Sequence, residues 1–161
     1  MKRTVLQILL LGLLFGCSNP NEDYSKDIAI TNSKYYNESQ SIKFDSITVM
    51  EFVELLPVKK VSPNNFYLIT TVGQADSSWI TKNDIPKLIK LIDSEKSAYC
   101  IMRTISSSLP IGEKSTIGGQ IMNIIDSYRL NIPYPHFQTD CSKTDKKRQK
   151  EILGWWNKMN K

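Results

Sequence analysis

A single histidine among 161 residues leaves little material for an imidazole relay or a histidine-rich metal centre. Three cysteines are too few for a disulfide-dense scaffold, and seven glycines and seven prolines exclude collagen-like and low-complexity chains. No apolar run approaches the roughly 20 residues that a helix needs to span a hydrocarbon core. Charge of one sign is also scarce: 21 Lys and Arg against 16 Asp and Glu give a formal net charge of +5, too mild a balance to imply nucleic acid. What remains is an ordinary small domain, 40% hydrophobic and 23% charged, with length for one core.

The charge is unevenly placed. Lys143, Lys146, Lys147, Arg148, Lys150, Lys158 and Lys161 crowd the last stretch of chain, where Asp145 and Glu151 are the acids, so the basic excess belongs to the C-terminal end.

Met1-Lys2-Arg3 is followed by a mostly apolar run, Val5 to Gly16, of about a dozen residues, the pattern of a secretory signal. It ends in Leu14-Phe15-Gly16-Cys17, which resembles the lipobox of bacterial lipoproteins, with Phe15 departing from the small or β-branched residue usual there. The resemblance implies cleavage after Gly16, acylation of Cys17 by diacylglycerol and a fatty acid such as palmitate, and anchoring of the chain to a bilayer in the cell envelope. Several acyl chains on one cysteine exceed the two signals that stable anchoring takes. Ser18, rather than Asp, after the cysteine resembles lipoproteins forwarded beyond the inner membrane, and that resemblance implies the outer membrane. Export also makes Cys100 and Cys141 an even pair in a compartment where disulfides persist; bridging them would stabilise the fold by roughly 4 kcal/mol, and two separate buried thiols are the alternative.

Residues 17–43 are rich in Asn, Ser and charge and read as a polar tether of lipidated Cys17, some 25–30 Å in reach if flexible. Residues 44–161 are then one domain. Asp45 is placed to cap a helix carrying Val49, Phe52, Val53 and Leu56 on one face, ended by Pro57. Asn83 or Asp84 caps a second, with Pro86 in its first turn and Ile85, Leu88, Ile89 and Ile92 inward. A last helix starts near Ser142 and presents Ile152, Trp155, Trp156 and Met159.

A shift of 33 positions lays Leu88-Ile89-Lys90-Leu91-Ile92-Asp93-Ser94 on Ile121-Met122-Asn123-Ile124-Ile125-Asp126-Ser127, and Leu68-Ile69-Thr70-Thr71-Val72 on Ile101-Met102-Arg103-Thr104-Ile105, with the apolar positions kept. Such a period resembles, weakly, the helical-hairpin repeats of HEAT or ankyrin-type solenoids. The expectation is an all-α domain in which Phe66 to Val72 is helical; the alternative is an α+β domain with a short strand pair there, because β-branched and aromatic residues favour strands.

Candidate sites are few. His136 between Pro135 and Phe137 reads as structural, Ser106-Ser107-Ser108 lacks a nucleophile elbow, and Gly118-Gly119 reads as a close helix contact. No catalytic residue, metal ligand or cofactor is assigned. Equivalent loops of stacked repeats would share one edge, placing Gln74, Asp76, Ser77 and Trp79 with Ser107 as a partner-binding set, Trp being the residue most enriched at interface hot spots. The reading is a non-catalytic, membrane-anchored binding module for an envelope or exported protein, an immunity-type inhibitor being one version. A hydrolytic envelope enzyme acting on glycan or peptide, and a structural envelope component, are the alternatives.

Overall fold

The computed structural model describes residues 41–59, 67–108 and 110–161. Cys17, the signal-like run and most of the tether lie outside the described residues. Ile42–Lys43, placed in the tether by composition, form the first strand, β1.

The chain alternates strand and helix: β1, α1 (Val49–Leu55), β2 (Leu68–Val72), α2 (Ile85–Ile89), β3 (Ser97–Ala98), β4 (Cys100–Arg103), β5 (Ser115–Thr116), α3 (Ile117–Leu130), β6 (Thr139–Asp140) and α4 (Lys146–Met159). Four strands make one mixed sheet in the order β1-β2-β4-β6, the first three parallel and β6 antiparallel to β4. The small strands β3 and β5 pair antiparallel beside it.

This overturns the all-α expectation. Leu68 to Val72 is a strand because Ile69, Thr71 and Val72 are β-branched and the run is buried on both faces at Leu68 and Ile69, as in the interior of a parallel sheet. The internal likeness is real in pattern but belongs to two successive strand-helix units. Leu68 pairs with Cys100 and Ile69 with Ile101, so the segments that resemble each other lie side by side, offset by one position from the sequence match. The helical halves differ as well. Residues 121–127 lie wholly within α3, whereas α2 stops at Ile89 and residues 90–93 form turns. Met122 is fully buried and Ile89 only partly so. There is no stacked hairpin repeat.

Register separates the two faces of the sheet. Ile42, Ile69, Thr71, Ile101, Arg103 and Asp140 are in-register neighbours or two apart, and so share one face. Ile42, Ile69 and Ile101 join the apolar cluster that holds Phe52 and Leu56 from the first crossover, Ile85 and Leu88 from the second, Ile121 and Ile125 from α3 and Ile152 from α4. The helices therefore cover one face. Cys100 points to the other, where a disulfide joins it to Cys141, with the Cα atoms 4.5 Å apart.

Local signals explain the helix ends. α1 starts three residues later than Asp45 would place it, because Thr48 and Glu51 form a reciprocal capping box: the Thr48 hydroxyl accepts the Glu51 N–H (3.3 Å) and the Glu51 carboxylate accepts the Thr48 N–H (3.0 Å). Asp145 caps α4 by accepting the Arg148 N–H at 2.8 Å. Gly118 and Gly119 open α3 where it passes against other backbone: a Cβ on Gly118 would lie 2.5 Å from the Ile92 carbonyl oxygen, and one on Gly119 would strike the Ser142 and Lys143 backbone. The close approach expected of this pair is to loops rather than to a helix.

Candidate functional site

β1, β2 and β4 run in the same direction, so the segments leaving their carboxyl ends gather along one edge of the sheet. In open α/β sheets that edge is where ligands are usually received. The segments are 44–48 after β1, 73–84 after β2 and 104–108 with 110–114 after β4, and residues 131–138, which lead into the antiparallel β6, come to the same edge. Ala75 and Tyr134 exchange backbone hydrogen bonds (Tyr134 N–H to Ala75 O, 3.1 Å), and the Gln74 side-chain amide donates to Pro135 O at 2.7 Å.

Beneath the loops lies an aromatic cluster. Phe44, Phe52, Trp79 and Tyr134 pack with ring centroids 5.0–5.8 Å apart, mostly edge to face, with Trp79 stacked on Tyr134. The Trp79 indole N–H donates to the Ile47 carbonyl at 2.7 Å, tying the β2–α2 connection to the β1–α1 connection. The buried Tyr134 hydroxyl donates to Gln120 Oε1 at 3.2 Å; burial first, and then the Asp140 charge, raise its pKa well above the usual phenol range.

Outside this cluster an open groove of about 790 Å³ runs between the two connections, lined chiefly by Phe44 to Glu51 with Trp79, Thr81, Asp84 and Lys87. Its carboxylates are largely engaged in holding turns. Asp84 accepts the Thr81 N–H (3.0 Å) and hydroxyl (2.6 Å) and faces Lys87 at 3.9 Å, while Glu51 serves the α1 capping box and accepts the Thr48 hydroxyl at 2.9 Å. The groove thus offers pre-set walls with an exposed acidic rim at Asp45.

Of the sequence-derived partner set at this edge, Trp79 alone lines the groove, and it spends its indole N–H on Ile47. Gln74 holds Pro135, and the Ser77 hydroxyl donates to Asn131 Oδ1 at 2.7 Å. Asp76 caps the short turn Ser77–Trp79 through the Ser78 N–H, and that backbone hydrogen bond, then the Ser78 and Ser77 hydroxyls, lower its pKa. Ser107 is exposed in the separate loop after β4. The other lining residues, Phe44 to Glu51 with Thr81, Asp84 and Lys87, lie outside that partner-binding set; Asp45 and Asp84 enter the sequence reading as helix caps and Val49 as core, and Thr48-x-x-Glu51 carries a signal for the turn that builds the groove. Replacing Trp79 by Phe, which keeps a ring but loses the hydrogen bond to Ile47, is expected to cost about 1–2 kcal/mol in urea unfolding.

A second assembly lies under α4. Gln120, Asn123, Asp126 and Ser127 line a polar stripe of α3 at helical spacing, and all four are buried. The segment 139–148 covers them. The Asn123 amide donates to Asp140 Oδ2 and to Ser142 Oγ (2.8 Å), the Gln120 amide donates to the Asp140 carbonyl (3.1 Å), and Asp126 receives both Arg129 and Arg148, the latter through Nε at 2.7 Å. His136 stands at the border, its Nδ1 buried without a hydrogen-bond partner among the described residues. Burial is the main reason its pKa falls below the usual 6.5; Arg148 adds to the fall, and Asp140 and Asp126 oppose it.

A lowered folded pKa means that the unfolded chain binds the proton more readily. Stability contributed by neutral His136 is therefore complete above about 6.5 and is lost as pH falls from there through the folded-state pKa. Urea midpoints measured from pH 7.5 to 5 are expected to drop with acidification in the wild type and to drop less in His136→Gln.

Among the described residues no group of three or more His, Cys, Asp or Glu is arranged to hold a metal ion, and no helix is long and apolar enough to cross a membrane. No family model, curated protein or solved structure matches the chain.

Proposed function

We propose that the chain is an exported, lipid-anchored protein of the bacterial cell envelope, held in the outer membrane through acylated Cys17, whose α/β domain binds a protein partner. The anchoring half rests on Leu14-Phe15-Gly16-Cys17 and the apolar run before it. The binding half rests on one observation: the groove between the connections that leave β1 and β2 sits at the receiving edge of the sheet and is lined by Trp79, Met50 and Val49 beside Asp45 and Asp84. An open trough with apolar walls and a polar rim suits a segment of folded protein, whose anchors would seat on the indole and methionine while the rim sets orientation. An immunity-type inhibitor, restraining a toxin at the membrane, is one form of this activity.

Two experiments divide the reading. Cys17→Ser should abolish metabolic labelling by palmitate and release the chain from membranes; retained labelling rejects the anchor. A photo-crosslinking residue at position 45 of the membrane-bound chain should capture a discrete protein in the native cells, whereas one at position 90 should not. Equal capture at both positions, or none at 45, rejects the groove.

A further inference from the structure

The lysines of α4 form a ridge that the fold does not use. Lys147, Lys150 and Lys158 recur with helical spacing on one side of α4, where Gly154 faces open space and the exposed Glu151 is their acidic neighbour. These lysines are exposed, as are Lys146 at the helix start, Lys143 before it and Lys161 after its end. Among the described residues their only ion pair is Lys146 with Glu95, at 3.9 Å between side chains 68% and 65% exposed. The apolar side is turned the other way: Ile152 is fully buried, and Trp155 and Trp156 pack against the core, with Trp155 edge-on to Tyr128 at 6.2 Å.

Helix energetics do not account for this placement. Lys146, Lys147 and Arg148 occupy the first turn, where the partial positive charge of the helix end repels cations, and Asp145 is the acid that offsets them. Arg148 has a structural reason in its pair with Asp126. Lys146 has only its exposed pair with Glu95 and Lys147 has no ion pair among the described residues, and the charge of both works against the helix that carries them.

We propose that the outward face of α4 is an electrostatic docking surface for an anionic lipid bilayer, engaged by Lys147, Lys150 and Lys158 with Lys143, Lys146 and Lys161 flanking them, without insertion of the tryptophans. The proposal rests on the lipid-anchor reading: a chain acylated at Cys17 and tethered over residues 18–41 keeps the domain within roughly 25–30 Å of headgroups, so a contact that binds a free protein at low salt, and is weakened by screening at physiological salt, still acts there at high effective concentration. A row of ammonium groups that outnumbers its neighbouring carboxylate, Glu151, matches a plane of phosphates, which attracts each nearby lysine and loses its pull as salt shortens the Debye length. Docking would set which way the sheet edge faces and hold it at a fixed height above the membrane.

The test uses the full mature-length chain with Cys17→Ser, so that no acyl chain contributes. Sedimentation with phosphatidylglycerol vesicles in low salt should exceed that with phosphatidylcholine vesicles by at least about tenfold and collapse at 0.5 M salt on the order of the screening expected. Lys147→Glu with Lys150→Glu and Lys158→Glu should lower phosphatidylglycerol binding by about tenfold or more, whereas Lys82→Glu with Lys90→Glu, exposed lysines elsewhere, should change it by less than about twofold. Lys147→Glu in the first turn should leave the melting temperature unchanged or raise it, so lost binding is separable from lost folding. Equal sedimentation with both vesicle types, no sedimentation, or equal loss in the two variant sets overturns the docking face. So does salt-sensitive capture of an acidic protein in the absence of lipid binding. Each of these results is independent of palmitate labelling at Cys17, which reads the anchor alone.

Discussion

Gly119→Ala is expected to destabilise the protein by about 3 kcal/mol or more, and Gly154→Ala to stabilise it by about 1 kcal/mol, although both replace a helical glycine by the best helix former. The difference is what the added methyl meets. At Gly119 it would fall against the Ser142 and Lys143 backbone, with Lys143 C at 2.8 Å, and these atoms cannot swing aside as a side chain can. They are held by the Thr116 N–H to the Ser142 carbonyl (3.0 Å) and by the Ser142 N–H to Asp140 Oδ1 (2.9 Å), so the clash spreads into the hydrogen bonds that seat the covering segment on α3. At Gly154 nothing lies within 4 Å. Urea denaturation of the two variants checks the pair; equal signs would mean that α3 does not approach residues 142–143 as closely as described.

Removal of the Cys100–Cys141 disulfide is the second large expected effect. The bond ties the central strand β4 to the residue that follows the edge strand β6, closing a loop that contains β5 and α3. Opening it in the double variant Cys100→Ser/Cys141→Ser should cost about 2–5 kcal/mol, with most of the loss entering through a freer unfolded chain. Wild-type protein unfolded in reducing buffer should fall to the same stability as the double variant. A shift of less than about 0.5 kcal/mol in both would show that the paired strands and the polar contacts beneath α4 already constrain this segment fully.

Several elements were legible because their signals are local. Pro86 after Asp84 marks α2; for α1 and α4 the apolar spacing is legible, but the sequence reading puts the caps at Asp45 and Ser142, three residues ahead of the Thr48 and Asp145 that serve. Leu68 to Val72 was not, since a short apolar run reads equally as buried helix or buried strand until its neighbour is known, and the neighbour is Cys100–Arg103, far along the chain. The internal likeness misled for a related reason. A strand-helix unit and a helical hairpin repeat with similar length, and matched apolar positions record burial without recording geometry.

The polar stripe of α3 failed differently. Gln120, Asn123 and Asp126 recur as the solvent face of an amphipathic helix should, but Asp140, Ser142 and Arg148 cover them, so burial could not be inferred from polarity. Of the candidate site, Trp79 was found and its neighbours were not. The groove is made where two connections separated by a whole crossover meet, and only the parallel pairing of β1 with β2 brings them together.

The edges of the sheet narrow the ways in which another chain can be received. As described, its two outer strands are Ile42–Lys43 and Thr139–Asp140, each only two residues long. An incoming extended segment would find two rungs of backbone to zip onto, too few to repay its ordering, so neither strand addition nor sheet-to-sheet fibrillisation has a template here. Under the proposed membrane anchoring, which would concentrate molecules side by side, that is a safeguard against self-association. It also leaves recognition of a partner to side chains, and hence open to retuning by surface substitutions that leave the backbone ladder untouched.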